Sequence, residues 1–201
     1  MIHNLSELLA SVESSFVLIS PYFVPTESGT QALVDATKRG VDITIITNSL
    51  ASNDVFAVHG WYAKYRQDLV KAGIKLWEIK ASAEVKSKWS LTGSSRSSLH
   101  AKAMMIDGTT LFVGSMNWDP RSAELNTEMA VVIEQPEYVQ ESLARLPAQL
   151  KQNAYQVVIR DGDIAWIDAT TGETFDSEPE ASIWRRLGAW FSGILPIEDQ
   201  L

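Results

Sequence analysis

Residues 99–117 concentrate side chains that could act on a phosphate ester. They read LHAKAMMIDGTTLFVGSMN and place His100, Lys102 and Asp107 in the order H-x-K-x-x-x-x-D. A histidine can attack phosphorus or protonate a leaving oxygen. A lysine supplies a compact positive charge that binds phosphate oxygens. This segment therefore predicts phosphate chemistry.

The spacing of the polar residues predicts that they share one face of a β-hairpin. His100 and Lys102 are two positions apart, which puts them on the same side of a strand, and Ser115 and Asn117 repeat this spacing. The hydroxyl and amide groups at those two positions can donate hydrogen bonds to charge that develops in a transition state. Because the surrounding residues are apolar, these polar side chains need partners or a cleft.

The turn of this hairpin is predicted at Asp107-Gly108, a dipeptide typical of tight turns between apolar runs. With Gly108 and Thr109 as a two-residue loop, Lys102 would face Ser115 across the hairpin, and the histidine would face the asparagine. The aspartate lies at the corner, an odd number of positions from the histidine. We therefore interpret it as a structural residue of the turn.

The composition bounds the function. At 201 residues with a hydrophobic fraction of 45%, the chain can form one domain with a sizeable core, or one domain with a small appendage. The absence of cysteine excludes disulfides and thiolate metal sites, and three dispersed histidines do not form a histidine-rich metal cluster. We expect neither a secretory signal nor a membrane-spanning segment. The net charge of −8 lacks the basic excess of a non-specific nucleic-acid binder.

Apolar runs and helical patterns alternate along the first part of the chain. A buried strand at 16–23 is followed by a helix, a second strand at 41–47, a long helix at 55–72 and a third strand at 74–79. This β-α-β-α-β order predicts parallel strands covered by helices, whose carboxyl-end loops are favoured ligand sites. The last such loop, 80–98, carries a net positive charge. Its composition is that of a solvated loop, but because it leads into the motif we hypothesise that it meets an anionic substrate.

The predicted fold class is α/β, with a mixed, largely parallel central sheet flanked by helices. We place the core domain at residues 1–153, which includes a strand at 127–133 and a helix at 137–152 after the hairpin. Residues 154–201 are expected to form a small antiparallel β-meander, packed on the core, and a terminal amphipathic helix.

The terminal helix, predicted at 183–195, has a broad apolar stripe that includes two tryptophans and a phenylalanine. Two interpretations of this stripe stay open. Either it docks on the core of the domain, or it lies in a membrane interface with Arg185 and Arg186 near anionic lipid.

The central motif resembles the HKD signature of the phospholipase D superfamily. Beyond His100, Lys102 and Asp107, the G-S-x-N string that begins at Gly114 follows at the family's spacing. Glu128 falls where the family places a glutamate that hydrogen-bonds the histidine. The superfamily normally builds one active site from two such motifs, and one H-x-K occurs in this sequence. By resemblance, the chain is a phospholipase D half-domain, which supplies one half of an active site.

Longer segments resemble the C-terminal half of bacterial cardiolipin synthases of the type without N-terminal membrane spans. They are SPYFVP, VDITIITNSLASND, VHGWYAKYRQDLVKAGIKLWE, GSMNWDPRSAELNTEMAVVIE and the closing LPIEDQL. The resemblance implies transfer of a phosphatidyl group between phospholipids, such as phosphatidylglycerol and phosphatidylethanolamine, through a phosphohistidine and without a metal or other cofactor. It also implies a protein of the bacterial cytoplasm, peripheral to the inner membrane, with no nucleic-acid partner.

The resemblance also assigns roles to the motif residues. One histidine of the paired motifs attacks the phosphodiester, and the other protonates the leaving alcohol and then activates the acceptor hydroxyl. His100 is expected to be the acid and base. Lys102, Ser115 and Asn117 would hold the phosphoryl oxygens, and Glu128 would orient an imidazole. Asp107 and Gly114 are structural residues of the motif.

Three residues outside the motif are further candidates for substrate binding. His59 is either a packed histidine near the start of a helix or, from the resemblance, part of a headgroup pocket. Tyr22 and Arg121 are similar candidates.

Two alternatives of different classes stay open. One is a homodimeric phosphodiesterase or nuclease that uses two copies of His100. The other is a non-catalytic module that pairs with, or regulates, a separate catalytic half. The catalytic interpretations require a second HKD half, in the same full-length protein or in a homodimer.

Overall fold

The fold, described by a computed structural model for residues 5–83, 99–124 and 127–195, is built on one nine-stranded sheet. In chain order its elements are α1 (Leu5–Ser11), β1 (Ser15–Ile19), α2 (Thr26–Lys38), β2 (Asp42–Asn48), α3 (Phe56–Lys71), β3 (Lys75–Ile79), β4 (Ala103–Ile106), β5 (Thr110–Gly114), α4 (Pro120–Glu124), β6 (Ala130–Glu134), α5 (Pro136–Asn153), β7 (Ala154–Arg160), β8 (Asp163–Asp168), β9 (Thr174–Phe175) and α6 (Ile183–Ile194). The strands lie in the order β6-β5-β4-β1-β2-β3-β7-β8-β9.

The centre of the sheet is parallel and both wings are antiparallel. β1 pairs with β2, and β2 with β3, in parallel, which confirms the predicted β-α-β-α-β unit. The strands β4 to β6 extend the sheet beyond β1, and β7 to β9 extend it beyond β3, each antiparallel to its neighbour. The mixed α/β sheet is thus confirmed. Its parallel share is smaller than expected. The connections of the hairpins β4–β5, β7–β8 and β8–β9 are too short for parallel pairing, and the long-range pairs β1–β4 and β3–β7 are also antiparallel.

The side chains of β1 alternate between two cores, one on each face of the sheet. Phe16 and Leu18 pack with residues of α1, α2 and α3 on the first face. Val17 and Ile19 pack with residues of α5 on the second face. A strand covered on both faces must be apolar throughout, which explains the continuous apolar run in the sequence.

The hairpin of β4 and β5 differs by one residue from the predicted register. Ile106 pairs with Thr110, so three residues rather than two lie in the loop. Lys102 consequently lies opposite Gly114, whose N–H donates to the Lys102 carbonyl at 3.1 Å. The predicted pair of Lys102 with Ser115 is wrong. The other predicted pair, between the histidine and the asparagine, lies beyond the end of the ladder.

Asp107 fixes the turn of this hairpin. Asp107 and Gly108 both have a positive φ, of 53° and 66°. The Asp107 carboxylate accepts hydrogen bonds from the backbone N–H groups of residues 13–15 at 2.7–3.2 Å. Burial alone would raise the pKa of Asp107, but these hydrogen bonds lower it below its ordinary value. Because Asp107 is itself part of the turn, a two-residue loop cannot begin at Gly108.

The strands β7 to β9 continue the central sheet rather than packing on it. β7 pairs with β3, with Val157 opposite Leu76 and Ala154 opposite Ile79. The helix α5 ends at Asn153, and β7 begins at the next residue. The sheet therefore continues across the domain division that the sequence predicts at residue 153.

The helix α6 docks on α3 by its small residues, and the interpretation that its apolar stripe docks on the core is wrong. Ala189, Ser192 and Gly193 are the buried residues of this helix. The approach is close at Gly60 of α3, where a Cβ atom would lie 2.1 Å from the Ala189 carbonyl oxygen. Large apolar side chains do not fit between two backbones at this distance, so they point outward.

The two arginines of α6 point into the protein. The Arg185 side chain donates to the carbonyl of Leu50 at 3.2 Å and to that of Asn53. Arg186 Nη2 donates to the carbonyl of Glu178 at 2.7 Å. The predicted placement of this pair near anionic lipid is therefore wrong.

A buried ionic cluster fixes the segment before α6. Arg66 on α3 lies 2.6 Å from Glu178 Oε1 and 3.4 Å from Glu78 Oε1, and His59 Nε2 lies 3.1 Å from Glu178 Oε1. Burial alone would raise the pKa of Glu178, but Arg66 and His59 hold it well below its ordinary range. Burial raises the pKa of Glu78. The stabilisation from ionised Glu178 is present above the ordinary carboxyl pKa and is lost as the pH falls through the lowered pKa.

Arg66→Met should lower the free energy of unfolding by about 3–5 kcal/mol, because it leaves two buried carboxylates without their cation. Urea unfolding at pH 7, followed by circular dichroism, measures this loss. Lys38→Met, which breaks an exposed ion pair with Asp35, is the matched control and should leave the midpoint unchanged. Equal midpoints for Arg66→Met and the wild type would contradict the structural role of the cluster.

Candidate active site

Lys102 and Asn117 line one cavity at the end of the β4–β5 hairpin that is remote from its turn. The cavity has a volume of about 20 Å³, and its walls also include Ile19, Gly114 and Trp118. The strands β1, β4 and β5 and the segment after β5 therefore position the two polar side chains. The structure brings the lysine and the asparagine of the motif together, although the register differs from the predicted one.

His100 follows a backbone position that the Asn48 side chain holds from two directions. Asn48 Nδ2 donates to the Leu99 carbonyl at 3.1 Å, and the Leu99 N–H donates to Asn48 Oδ1 at 2.9 Å. The same Nδ2 lies 3.3 Å from the Pro21 carbonyl, so it also contacts the loop after β1. His100 is exposed, and Lys102 Nζ lies 3.3 Å from its carbonyl oxygen.

Asn48 is a positioning residue that the motif does not reveal. It is the last residue of β2 and is buried. The signal that could have found it is a polar residue at the carboxyl end of a buried parallel strand, where ligand sites are common.

The segment after β5 holds Asn117 in the cavity wall. The backbone N–H of the buried Trp118 donates to Ser20 Oγ at 3.0 Å, and the Trp118 carbonyl accepts from the Val24 N–H at 2.7 Å. The Asn117 amide donates to the Asp119 carboxylate. Asn117 Oδ1 is buried and has no hydrogen-bond partner within the described parts of the chain. Such an unpaired acceptor costs about 1–3 kcal/mol, so we expect a bound donor to satisfy it.

Ser115 and Glu128 pair with each other beside the cavity. Ser115 Oγ donates to a Glu128 carboxylate oxygen and accepts from the Met129 N–H at 3.1 Å. The two strands approach closely here, since a Cβ atom on Gly114 would lie 2.4 Å from the Met129 carbonyl oxygen. In this structure Glu128 therefore orients a serine, whereas the resemblance expects it to orient an imidazole.

Two carboxylates influence the Lys102 ammonium group. Burial lowers the pKa of Lys102 below its ordinary value, and Glu128 and Asp119 offset part of that shift. Burial raises the pKa of Asp119, while hydrogen bonds from Ser122 and Asn117 oppose this rise. A half-buried ammonium group among carboxylates can exchange them for phosphate oxygens.

The structure brings Tyr22 towards this site and leaves His59 elsewhere. The Tyr22 carbonyl accepts from Ser20 Oγ at 2.5 Å, and Ser20 Oγ accepts from the Trp118 backbone N–H at 3.0 Å. Burial raises the pKa of Tyr22, and the carboxylates of Asp54 and Asp119 add to the rise. The described contacts of His59 are with the ionic cluster and do not involve the hairpin. Arg121 is exposed on α4.

Most of the loop that we hypothesised to meet an anionic substrate, residues 84–98, lies outside the described residues. Its first lysine, Lys80, is buried, and its Nζ lies 2.8 Å from Asp168 Oδ2. The positive charge of Lys80 is therefore neutralised within the protein and does not face the site.

One group of described side chains has the composition of a metal site. His59, Glu78 and Glu178 each offer a ligand atom, and these atoms lie within 4.8 Å of one another. The Arg66 guanidinium lies among them, 2.6 Å from one carboxylate and 3.4 Å from the other. Because a fixed positive charge already compensates both carboxylates, these residues do not fit a metal ion. That the chain needs no metal stays a prediction.

Comparison with solved structures identifies the class of fold as phospholipase D-like. The phospholipase D family member Nuc from Salmonella typhimurium superposes with a TM-score of 0.57, at 21% identity over 77% of this chain and 88% of that chain. Phosphatidylserine synthase from Haemophilus influenzae Rd KW20 superposes with a TM-score of 0.58, at 14% identity over 75% of this chain and 35% of that chain. At these identities the likeness concerns the fold alone.

The family follows from the sequence. The family model described as cardiolipin synthase, PLD-like domain, matches residues 5–148, and the chain belongs to this family. The resemblance inferred from the HKD, G-S-x-N and flanking segments is thereby confirmed.

The relatives are longer bacterial proteins. Cardiolipin synthase C of Escherichia coli K12 is 41% identical over an alignment of 201 positions, which covers 97% of this chain and 42% of the relative. Cardiolipin synthase A of Proteus mirabilis HI4320 is 33% identical over 131 residues, which are 65% of this chain and 24% of the relative. The chain thus spans less than half the length of these relatives. Among the helices described, none combines the length and apolarity needed to cross a bilayer.

Glu128→Gln should lower the pKa of Lys102 further, because it removes one of the two carboxylates that oppose the effect of burial. The titration of ¹³C-dimethylated lysines by NMR measures this pKa, and Lys102→Arg identifies the resonance. Glu134→Gln, at the far end of β6, removes an equal charge and is the control. A Lys102 pKa that rises or stays constant in Glu128→Gln would contradict the arrangement of charges described above.

Asn48→Ala should raise the hydrogen-exchange rate of the Leu99 amide at least about tenfold, because the acceptor of its hydrogen bond is lost. Asn53→Ala is the matched control in the same loop, since Asn53 Oδ1 accepts from the Val55 N–H instead. Each variant should deprotect its own partner amide in NMR exchange measurements. Persistent protection of Leu99 in Asn48→Ala would show that the side chain does not hold this segment.

Proposed function

We propose that the chain supplies one half of a phosphatidyltransferase site, which transfers a phosphatidyl group between two phospholipids. The observation that carries the proposal is the cavity shared by Lys102 and Asn117, with His100 two residues before the lysine. Membership of the cardiolipin synthase family supports lipid phosphodiesters as substrates, and we propose phosphatidylglycerol and phosphatidylethanolamine. We place this activity in the bacterial cytoplasm, at the surface of the inner membrane.

The proposed reaction uses two histidines and an anion-binding lysine. In the first step, one imidazole attacks phosphorus, the bond to the leaving alkoxide breaks, and the second imidazole, in its protonated form, gives that alkoxide a proton. In the second step, the second imidazole takes the proton of the acceptor hydroxyl, whose oxygen attacks the phosphohistidine and releases the first imidazole. We assign His100 to the acid–base role and Lys102 to the phosphoryl oxygens.

The neighbouring residues support these roles in different ways. Asn117 and Ser115 each donate to a carboxylate here, and both donors can turn to a phosphoryl oxygen as it gains negative charge. Glu128 opposes the loss of the lysine proton. We propose Tyr22 and Arg121 as contacts to the headgroup, whereas the ionic cluster around His59 does not support that role for the histidine.

A second HKD half is proposed to complete the site. The cavity of about 20 Å³ has room for roughly one water molecule, and His100 is exposed beside it. Val113 of β5 and its partner Val131 of β6 lie on one face of the sheet. With Met129, just before β6, they present an apolar surface whose residues are between 43% and 79% exposed. Exposed apolar patches mark interaction sites, so we place the partner half against this surface.

His100→Ala should reduce phosphatidyl transfer by about 10²–10⁴-fold, because it removes the proposed general acid and base. The assay follows cardiolipin formation from phosphatidylglycerol and phosphatidylethanolamine in mixed micelles, with and without a separately expressed partner half. His3→Ala, a histidine outside the motif, is the control and should leave the rate unchanged.

Other results of this assay would contradict the proposed chemistry or favour one of the two alternative functions. Equal rates for His100→Ala and the wild type would contradict the proposed chemistry. Cleavage of DNA without cardiolipin formation would favour the homodimeric nuclease. No turnover under any condition, with a partner half present, would favour the non-catalytic module.

A further inference from the structure

The helix α6 exposes large apolar side chains that nothing in the described chain covers. Trp184 is 82% exposed and Trp190 is 68% exposed. We call the outward-facing set the α6 surface; it consists of Ile183, Trp184, Leu187, Trp190, Phe191 and Ile194. The exposed ring of Phe56, at the start of α3, lies against Gly188 and extends this surface.

The α6 surface is exposed because the opposite side of the helix is anchored. Gly60 and Ala189 bring the two helix backbones into contact, and hydrogen bonds hold Arg185 and Arg186 inward. The N-terminal end is capped, since Ser182 Oγ accepts from the Arg185 N–H. A helix held in this way cannot rotate to bury its outer side chains.

We propose that the α6 surface docks on a phospholipid bilayer, with its apolar side chains at the boundary between headgroups and acyl chains. The proposal rests on the proposed function, which requires access to lipid phosphodiesters. On these six side chains, the polar groups are the indole N–H groups of Trp184 and Trp190. A protein partner normally forms about one hydrogen bond per 100–200 Å² of interface, whereas an indole ring with one polar edge suits the membrane interface.

A short series of contacts connects the α6 surface to the candidate site. Arg185 donates to carbonyls within the loop 49–53. That loop follows Asn48, whose side chain holds Leu99 next to His100. All of these residues lie at the carboxyl end of β2. The inward side of α6 is therefore anchored to the edge of the sheet that carries the site.

The proposed docking is apolar rather than electrostatic. Arg185 and Arg186 are directed away from the α6 surface, and the segment before the helix carries Glu178 and Glu180. The chain as a whole has a net charge of −8. Anionic lipids should therefore not strengthen the binding, and added salt should not release the protein.

The test is co-sedimentation of the 201-residue chain with vesicles of phosphatidylcholine, a lipid that is neither of the proposed substrates. The double variant Trp184→Ser/Trp190→Ser should bind these vesicles at least about tenfold more weakly, because burial of a large apolar side chain is worth more than one factor of ten. Both positions are exposed, so thermal unfolding should be unchanged. Met129→Ser/Val131→Ser, on the other apolar surface, is the matched control and should bind like the wild type.

Three results would overturn the proposal. The first is vesicle binding that survives in the tryptophan double variant. The second is binding that is lost in 0.5 M salt, at about a 4 Å Debye length, which would make the attraction electrostatic. The third is a wild type that forms a dimer and does not bind vesicles, while the double variant is a monomer. This result would assign the α6 surface to a second copy of the chain.

The vesicle test is independent of catalysis, so the two proposals can fail separately. His100→Ala should bind the vesicles like the wild type. If His100→Ala abolishes transfer but the tryptophan variant still binds vesicles, the docking proposal fails and the proposed function stands. If the wild type binds through its tryptophans but never forms cardiolipin, the proposed function fails and the docking proposal stands.

Discussion

The geometry of the candidate site depends on the Asn48 side chain, which hydrogen-bonds a backbone segment as a neighbouring strand would. Asn48 offers Leu99 a donor at 3.1 Å and an acceptor at 2.9 Å, which is the pairing that a neighbouring backbone would provide. Because β2 ends at Asn48, its amide continues the sheet where no backbone can, directly before His100. At the other end of the hairpin, the Asp107 carboxylate binds the backbone of residues 13–15. The parallel unit thus holds the hairpin at both ends.

Several cations in the described part of the chain connect its own elements. Arg66 joins α3 to the segment before α6, Lys80 joins the end of β3 to β8, and Arg185 joins α6 to the loop after β2. Lys102 differs from these cations. It lies in a cavity wall, its pKa is lowered by burial, and its carboxylate neighbours act at longer range. A phosphate group would therefore compete with weaker partners at Lys102 than at the other cations.

The sequence predicted the order of the elements because burial of a strand on both faces leaves a continuous apolar run, as in β1. It did not predict which hairpin residues face each other, because a register shift of one residue places Gly114 rather than Ser115 opposite Lys102. The register itself depends on Asp107 and residues 13–15, which are more than 90 positions apart and leave no local pattern. The orientation of α6 could not be predicted from the sequence either. Amphipathic spacing predicts an apolar stripe, but the close contact at Gly60 decides which side of the helix faces inward.

The contacts that hold the hairpin also determine when the site forms during folding. Ser15 and Asp107 are separated by 92 positions, Ser20 and Trp118 by 98, and Asn48 and Leu99 by 51. The two strands of the hairpin are local and can pair early, but closing loops of this length has a high entropic cost. The strands β1 and β2 precede the hairpin in the chain and leave the ribosome before it, and the hairpin then adds to the edge that β1 provides. A molecule whose first strand is detached would therefore keep the motif and its hairpin but not the arrangement of the site.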